Sequence, residues 1–262
     1  MTDPNKAHRR PNTQAYLRLR EQTQVLFDFA VLVAHAVPTL DEQLACVQQQ
    51  TRTALPTPDH FIAGTTSVAQ LQQSAGGYLP QLAAYTLLGA FSFFEAFVSD
   101  AIEEMFLFHG GVDEMCRRAD ARDAASLRER ADFETHKRWL HTNRPDRAEK
   151  SRKHAHALTV KGYRFPSELF SGYGLRMLAD KLKRLRSVDI PTLLTEGLHM
   201  PVPSAQVQRF HDIRKRRNKV AHGEAVKLTL RVVSQDNQTL RQLAYDVDRH
   251  LNSYFMISEK YV

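Results

Sequence analysis

The stretch over residues 79–109, LPQLAAYTLLGAFSFFEAFVSDAIEEMFLFH, limits what this chain can fold into more than any other. Through its middle it is apolar on nearly every side, whereas a surface helix carries a single apolar stripe. Such a segment belongs at the centre of a helical bundle. The pair Gly110 and Gly111 stops it.

The helical period also governs the rest of the chain, and strand patterns are nearly absent. Over residues 16–37, Leu19, Val25, Leu26, Phe29, Leu32 and Val33 recur at the spacing of one buried helix face, and Pro38 is expected to end the run. A second helix is expected over 41–55. Pro56, Pro58 and GTTSV read as a loop, with SAGGYLP as a further break. A charged helical stretch follows from 112 to about 139, then a basic segment to 156, then the amphipathic FPSELFSGYGLRMLADKLKRL. Residues 190–204 read as a proline-punctuated connection with a short helix at most. Residues 206–222 form a helix with Val207, Phe210, Ile213 and Val220 inward. The segment VKLTLRVV alternates and is expected to be extended, and a closing helix covers 238–255. The predicted class is all-α. The predicted division is a flexible basic terminus over 1–13, N-terminal helices over 14–78, and a helical domain over 79–262 with a basic insertion around 112–164.

The formal charge is +7, with 36 Lys and Arg against 29 Asp and Glu. Net charge speaks to partners and not to fold, and here it suits a polyanion. Much of the excess lies in RPDRAEKSRKHAH and KLKRLR, near Trp139, Tyr163 and Phe165. Cations interleaved with aromatics suit phosphates and unstacked bases, although a charge run is more often a solvated helix face. No stretch is expected to supply the roughly 20 apolar residues of a membrane span. The opening MTDPNKAHRRPNTQ lacks the apolar core of a secretory signal, so a cytoplasmic location is expected. Cys46 and Cys116 show no CxxC or zinc-ligand spacing and read as small hydrophobes. His136, His141, His154 and His156 form no ligand pattern, and there is no phosphate-binding loop, dinucleotide turn or nucleophile elbow. Neither a metal nor a cofactor is expected.

The candidate site is HDIRKRRNKVAHGEA, residues 211–225. Gly223 directly after His222 is the usual helix terminator, which places His222 at the helix end, where the negative pole of the macrodipole favours a cation. Histidine is also the side chain best suited to take and give a proton near neutrality. Asn218 lies four residues before His222 and shares its face, whereas Arg217 projects roughly 140° away. Charge complementation and capping alone would also select a basic last turn followed by His-Gly.

Within that stretch, RNKVAH has the pattern of an arginine, a polar residue, three variable residues and a histidine. It resembles the RxxxxH motif of the HEPN superfamily, and FSFFEAFVSDAIEEMF is similar to the acidic core helix that precedes the motif in its RiboL-PSP-HEPN type. The resemblance covers about residue 79 to the C-terminus and leaves 1–78 unmatched as an additional helical segment. It implies a HEPN-like bundle that pairs as a homodimer and acts as a metal-independent endoribonuclease. A toxin or antiviral role on tRNA or mRNA is implied with it, as is a neutralising antitoxin or trigger protein. Arg217, Asn218 and His222 would be the catalytic set. On physical grounds Glu95 joins it: Gly89, Ser92, Glu95 and Ser99 form a small or polar stripe, and a buried carboxylate there needs a cation, for which Arg217 is expected to serve. Asp100 competes with Glu95, and the stripe facing solvent is the plainer alternative. RNA-binding candidates are Arg214, Lys215 and Arg216, with Arg144, Arg147, Lys150, Arg152 and Lys153 from the basic insertion. The rival reading is a non-catalytic helical module that binds RNA or protein through the same cations.

Overall fold

The computed structural model describes residues 12–53, 55, 67–128 and 172–256, and among them every regular element is a helix. The fold is therefore all-α. The long helices are α1 Gln14–Gln48, α2 Val68–Gly76, α3 Tyr78–Phe108, α4 Val112–Arg128, α5 Gly172–Leu182, α6 Ser204–Ala221 and α7 Leu230–Tyr254. Between α5 and α6, residues 187–197 wind as three short successive turns of changing pitch, more helix than the single short one expected in this connection.

The chain divides into two compact units interleaved along the sequence. The first takes its described residues from Met1–Leu19, Phe94–His211 and Arg241–Val262. Its core is built on α3, where Phe94, Phe97, Val98, Ile102 and Met105 are fully or almost fully buried, on Leu243, Val247 and Leu251 of α7, and on Phe255 just beyond its end. Phe94 packs on Phe210 of α6 with ring centroids 5.9 Å apart. Buried Met115, Cys116 and Ala119 of α4 match buried Leu175 and Leu178 of α5, and an exposed pair of Arg176 with Asp120 at 2.6 Å closes that contact.

The start of α1 is fastened within this unit. The Thr13 hydroxyl accepts from the Tyr16 amide at 3.0 Å and donates to Asp248 Oδ1 at 2.6 Å, while Glu104 takes the Gln14 and Ala15 amides at 3.1 Å each. A helix N-terminus offers unsatisfied donors, and two carboxylates meet them here. Burial pushes the Asp248 carboxyl above its usual range, against the pull of the Thr13 hydrogen bonds.

The second unit comprises Arg20–Phe93 and Asp212–Leu240. Here α1 corrects the reading of Pro38, because the helix runs straight through it and the two helices expected around it are one. A proline inside a helix cannot donate to the carbonyl four residues back. That carbonyl belongs to Ala34, and the Tyr78 hydroxyl donates to it at 3.4 Å, so α3 supplies the missing partner. Gly89 lets the same two helices approach, since a Cβ there would meet Leu26 at 3.0 Å. Helix α1 ends at Gln48 and turns off at Gln50, which takes φ +59 while the Thr51 amide reaches back to the Cys46 carbonyl at 3.0 Å.

A second correction concerns the apolar face of α1. Leu19 is buried, but Val25, Phe29 and Leu32 are 62%, 57% and 64% exposed. A third concerns VKLTLRVV, whose second half, 230–233, opens helix α7, while 226–229 precede it without regular structure. Thr229 caps α7, its hydroxyl accepting from the Val232 amide at 3.3 Å, and Val233, Asp236 and Leu240 are buried at helical spacing. Alternation in five residues is a weaker signal than a capped helix with a face to bury. The expected absence of any span-like stretch also needs revision. Helices α1 and α3 are long and apolar enough by length and composition, with mean hydropathy 1.4 and 1.5 over their best windows.

Candidate active site at the end of helix α6

Helix α6 closes as its sequence demands. Gly223 takes φ +74, its amide donates to the Val220 carbonyl at 3.0 Å, and the Glu224 amide donates to the Lys219 carbonyl at 2.9 Å. This is the double hydrogen bond of a Schellman cap, and it requires a residue with little penalty in the left-handed region. His222 is thereby set as the capping residue itself, with its side chain exposed. Its amide donates to the Asn218 carbonyl at 3.0 Å, so the last helical hydrogen bond joins two of the candidate residues.

Arg217 is held from two directions. Its guanidinium carbon lies 5.5 Å from the centroid of the Phe91 ring, and Nη1 donates to Asn218 Oδ1 at 3.2 Å. A guanidinium over an aromatic face gains from the ring quadrupole. Asn218 thus touches Arg217 through its side chain and His222 through its main chain. Phe91 was not among the residues expected at the site. The available signal was its place in FSFFEAF one turn before Glu95, but that run reads first as core, and Phe91 is indeed fully buried.

The neighbouring arginine does something different. Arg216 binds Asp236 of α7 in a two-pronged pair, Nε to Oδ2 at 3.0 Å and Nη2 to Oδ1 at 2.5 Å, with the carboxylate mostly buried. Burial pushes the Asp236 carboxyl upward and the Arg216 hydrogen bonds pull it down. Counted among the RNA-binding candidates, Arg216 therefore has its guanidinium engaged by an internal acid. Lys215 is exposed, and Arg214 is half-buried with its Nε enclosed and without a hydrogen-bond partner among the described residues. Arg144, Arg147, Lys150, Arg152 and Lys153 lie outside the described residues, as do Trp139, Tyr163, Phe165 and the four histidines of that segment.

On α3 the small or polar stripe is partly outward: Ser92 is exposed, Glu95 and Ser99 are half-buried, and Gly89 meets Leu26. Asp100, the alternative acid, pairs with Arg18 at 2.8 Å on the surface. Among the described residues no group of three or more His, Cys, Asp and Glu side chains gathers as a metal site would require.

The arrangement offers a fixed cation, a carboxamide and an exposed imidazole within about one and a half turns of helix. That set can clamp a phosphate and move a proton beside it. No protein-family model, curated protein or solved structure matches the chain.

Proposed function

We propose that the chain is an endoribonuclease of HEPN type, working as a homodimer in which two copies of Arg217, Asn218 and His222 meet one RNA strand. The observation that carries this reading is the hold on Arg217, fixed by Phe91 and Asn218 five residues before an exposed, helix-capping His222. A cation that merely solvates a helix end needs no such support.

The chemistry follows from the groups available. The ribose 2′-oxygen attacks its own 3′-phosphorus, forming the O2′–P bond as the P–O5′ bond breaks. One His222 takes the 2′-hydroxyl proton as base, and His222 of the second copy gives a proton to the departing 5′-oxygen. Arg217 stabilises the charge developing on the phosphorane oxygens, and Asn218 orients the guanidinium. The products are a 2′,3′-cyclic phosphate and a 5′-hydroxyl, with no step routed through a metal. In the cell this activity fits a toxin or antiviral effector cutting tRNA or mRNA, held in check by an antitoxin or trigger protein.

The test is RNA cleavage by the purified chain, with a substrate carrying one 2′-deoxy nucleotide 5′ of the scissile phosphate alongside. The normal strand is cut, and the deoxy strand is bound and left intact, because the nucleophile is missing. Equal cutting of both, or 3′-hydroxyl and 5′-phosphate ends, removes the mechanism. Binding without cutting of either strand leaves the non-catalytic module.

A further inference from the structure

The exposed face of α1 within the second unit is the most anomalous surface among the described residues. Val25, Phe29 and Leu32 are each more than half exposed, and Ala36 is exposed on the same side. Only 11% of the most apolar window of this helix is buried, against 50% for α3. The spacing of these four residues is four, three, four, which is the seam of a coiled coil, in which apolar knobs enter the holes of a facing helix. Scattered exposed hydrophobes are ordinary, but a continuous seam marks a surface that something covers.

We infer that this seam is where a second copy of the chain docks, α1 against α1 in antiparallel register. The register is self-complementary, as a two-fold interface must be. Centred between residues 30 and 31, it sets Phe29 against Leu32 of the second copy and Val25 against Ala36, bulky at the middle and tapering outward. Asp28 and His35 share one edge of the seam, and a two-fold brings that edge against its own copy. Asp28 then stands about 3 Å along the axis from His35 of the second copy, at a rise of about 1.5 Å per residue, and the contact occurs twice. The Gln24 carboxamide already orients Asp28, donating to its Oδ1 at 2.8 Å.

A lipid surface is a poor occupant by comparison. Over residues 20–48 the charged side chains are Arg20 against Glu21, Asp28, Asp41 and Glu42, and interfacial helices need the opposite balance beside anionic headgroups. Nucleic acid has no use for an apolar seam that carries Asp28 at its edge and no Lys or Arg over residues 25–36. The seam is short, about 16 Å, and covers roughly half of the ~800 Å² per partner that a stable complex uses, so the association is weak and concentration-dependent.

This inference rests on the proposed homodimer only for the identity of the occupant, and it is scored without RNA. Sedimentation velocity of the full chain from about 1 to about 200 μM spans the range in which so small an interface associates. The wild type shifts from monomer towards dimer, and Phe29→Glu/Leu32→Glu associates at least about 10-fold more weakly with an unchanged melting temperature, since both side chains are exposed. Should that variant misfold, mixing Phe29→Cys chains with Leu32→Cys chains gives a mixed disulfide faster than either alone. A wild type monomeric throughout overturns the inference. So does a dimer indifferent to the double substitution, the absence of mixed crosslinking, or wild-type co-sedimentation with phosphatidylserine-containing vesicles that the variant loses. Dimerisation through α1 in a protein that cuts no RNA would leave this inference standing and remove the nuclease reading.

Discussion

His250 carries the most quantitative prediction. It lies on α7, 7% exposed, with its Nε2–H donating to the Leu198 carbonyl at 2.8 Å and its ring against Tyr254 and Phe255 at 4.9 and 5.7 Å. Burial lowers its pKa from 6.5 to about 4, only partly opposed by the hydrogen bond to Leu198. As pH falls, the unfolded chain takes up this proton near 6.5, while the folded chain resists until about 4. The stabilisation is therefore fully present above pH 6.5 and lost on the way down to 4. At about 1.4 kcal/mol per unit, the interval amounts to about 3 kcal/mol by pH 4. His250→Gln isolates the effect, because a glutamine amide can donate to Leu198 and does not titrate. The assay is urea unfolding followed by helical circular dichroism for both proteins from pH 7.5 to 4. The stability difference between wild type and variant should shrink, or change sign in favour of glutamine, by about 3 kcal/mol over that range. The raised carboxyls of Asp236 and Asp248 act in the opposite direction on acidification, but both proteins carry them and they cancel. Parallel stability curves would refute the reasoning and mean that His250 is hydrated or protonated where it sits.

Further outcomes follow from single contacts. Asp236→Asn removes the charge facing Arg216 in a mostly buried pair and should cost about 2 kcal/mol in urea unfolding at pH 7, whereas a loss below about 0.5 would place the pair in solvent. Tyr78→Phe strips the donor from the Ala34 carbonyl opposite Pro38 and should cost about 1 kcal/mol, with faster amide exchange confined to residues near 34–38 of α1. Phe91→Leu and Phe94→Leu alter equally buried rings on one helix, each at about 1 kcal/mol. Only the first withdraws the face beneath Arg217, so RNA cleavage should fall about 10-fold further in it, and equal losses would reduce Phe91 to packing. His222→Ala and Arg217→Ala should each lower cleavage by roughly 10² to 10⁴ with little change in melting temperature, measured on labelled RNA in the presence of EDTA.

Much of this molecule is readable from residue order alone because the deciding interactions are local. The all-α class follows from helical periodicity, the break after α3 from Gly110 and Gly111 at φ +85 and +99, and the closure of α6 from a glycine directly after His222. The two helix ends are each settled within about five residues. The sequence readings went astray where a distant group intervened. Pro38 reads as a helix end until Tyr78 is placed beside the Ala34 carbonyl. VKLTLRVV reads as extended until Thr229 caps a helix whose face has a core to enter. The seam of α1 reads as a buried face because periodicity reports that a stripe exists and says nothing of what covers it. Arg216 and Arg217 show the same limit at the site. Adjacent residues on a helix point about 100° apart, so one was bound to face differently from the other. That Asp236 waits for the first and the Phe91 ring for the second was decided by the packing of α6 against α7 and α3.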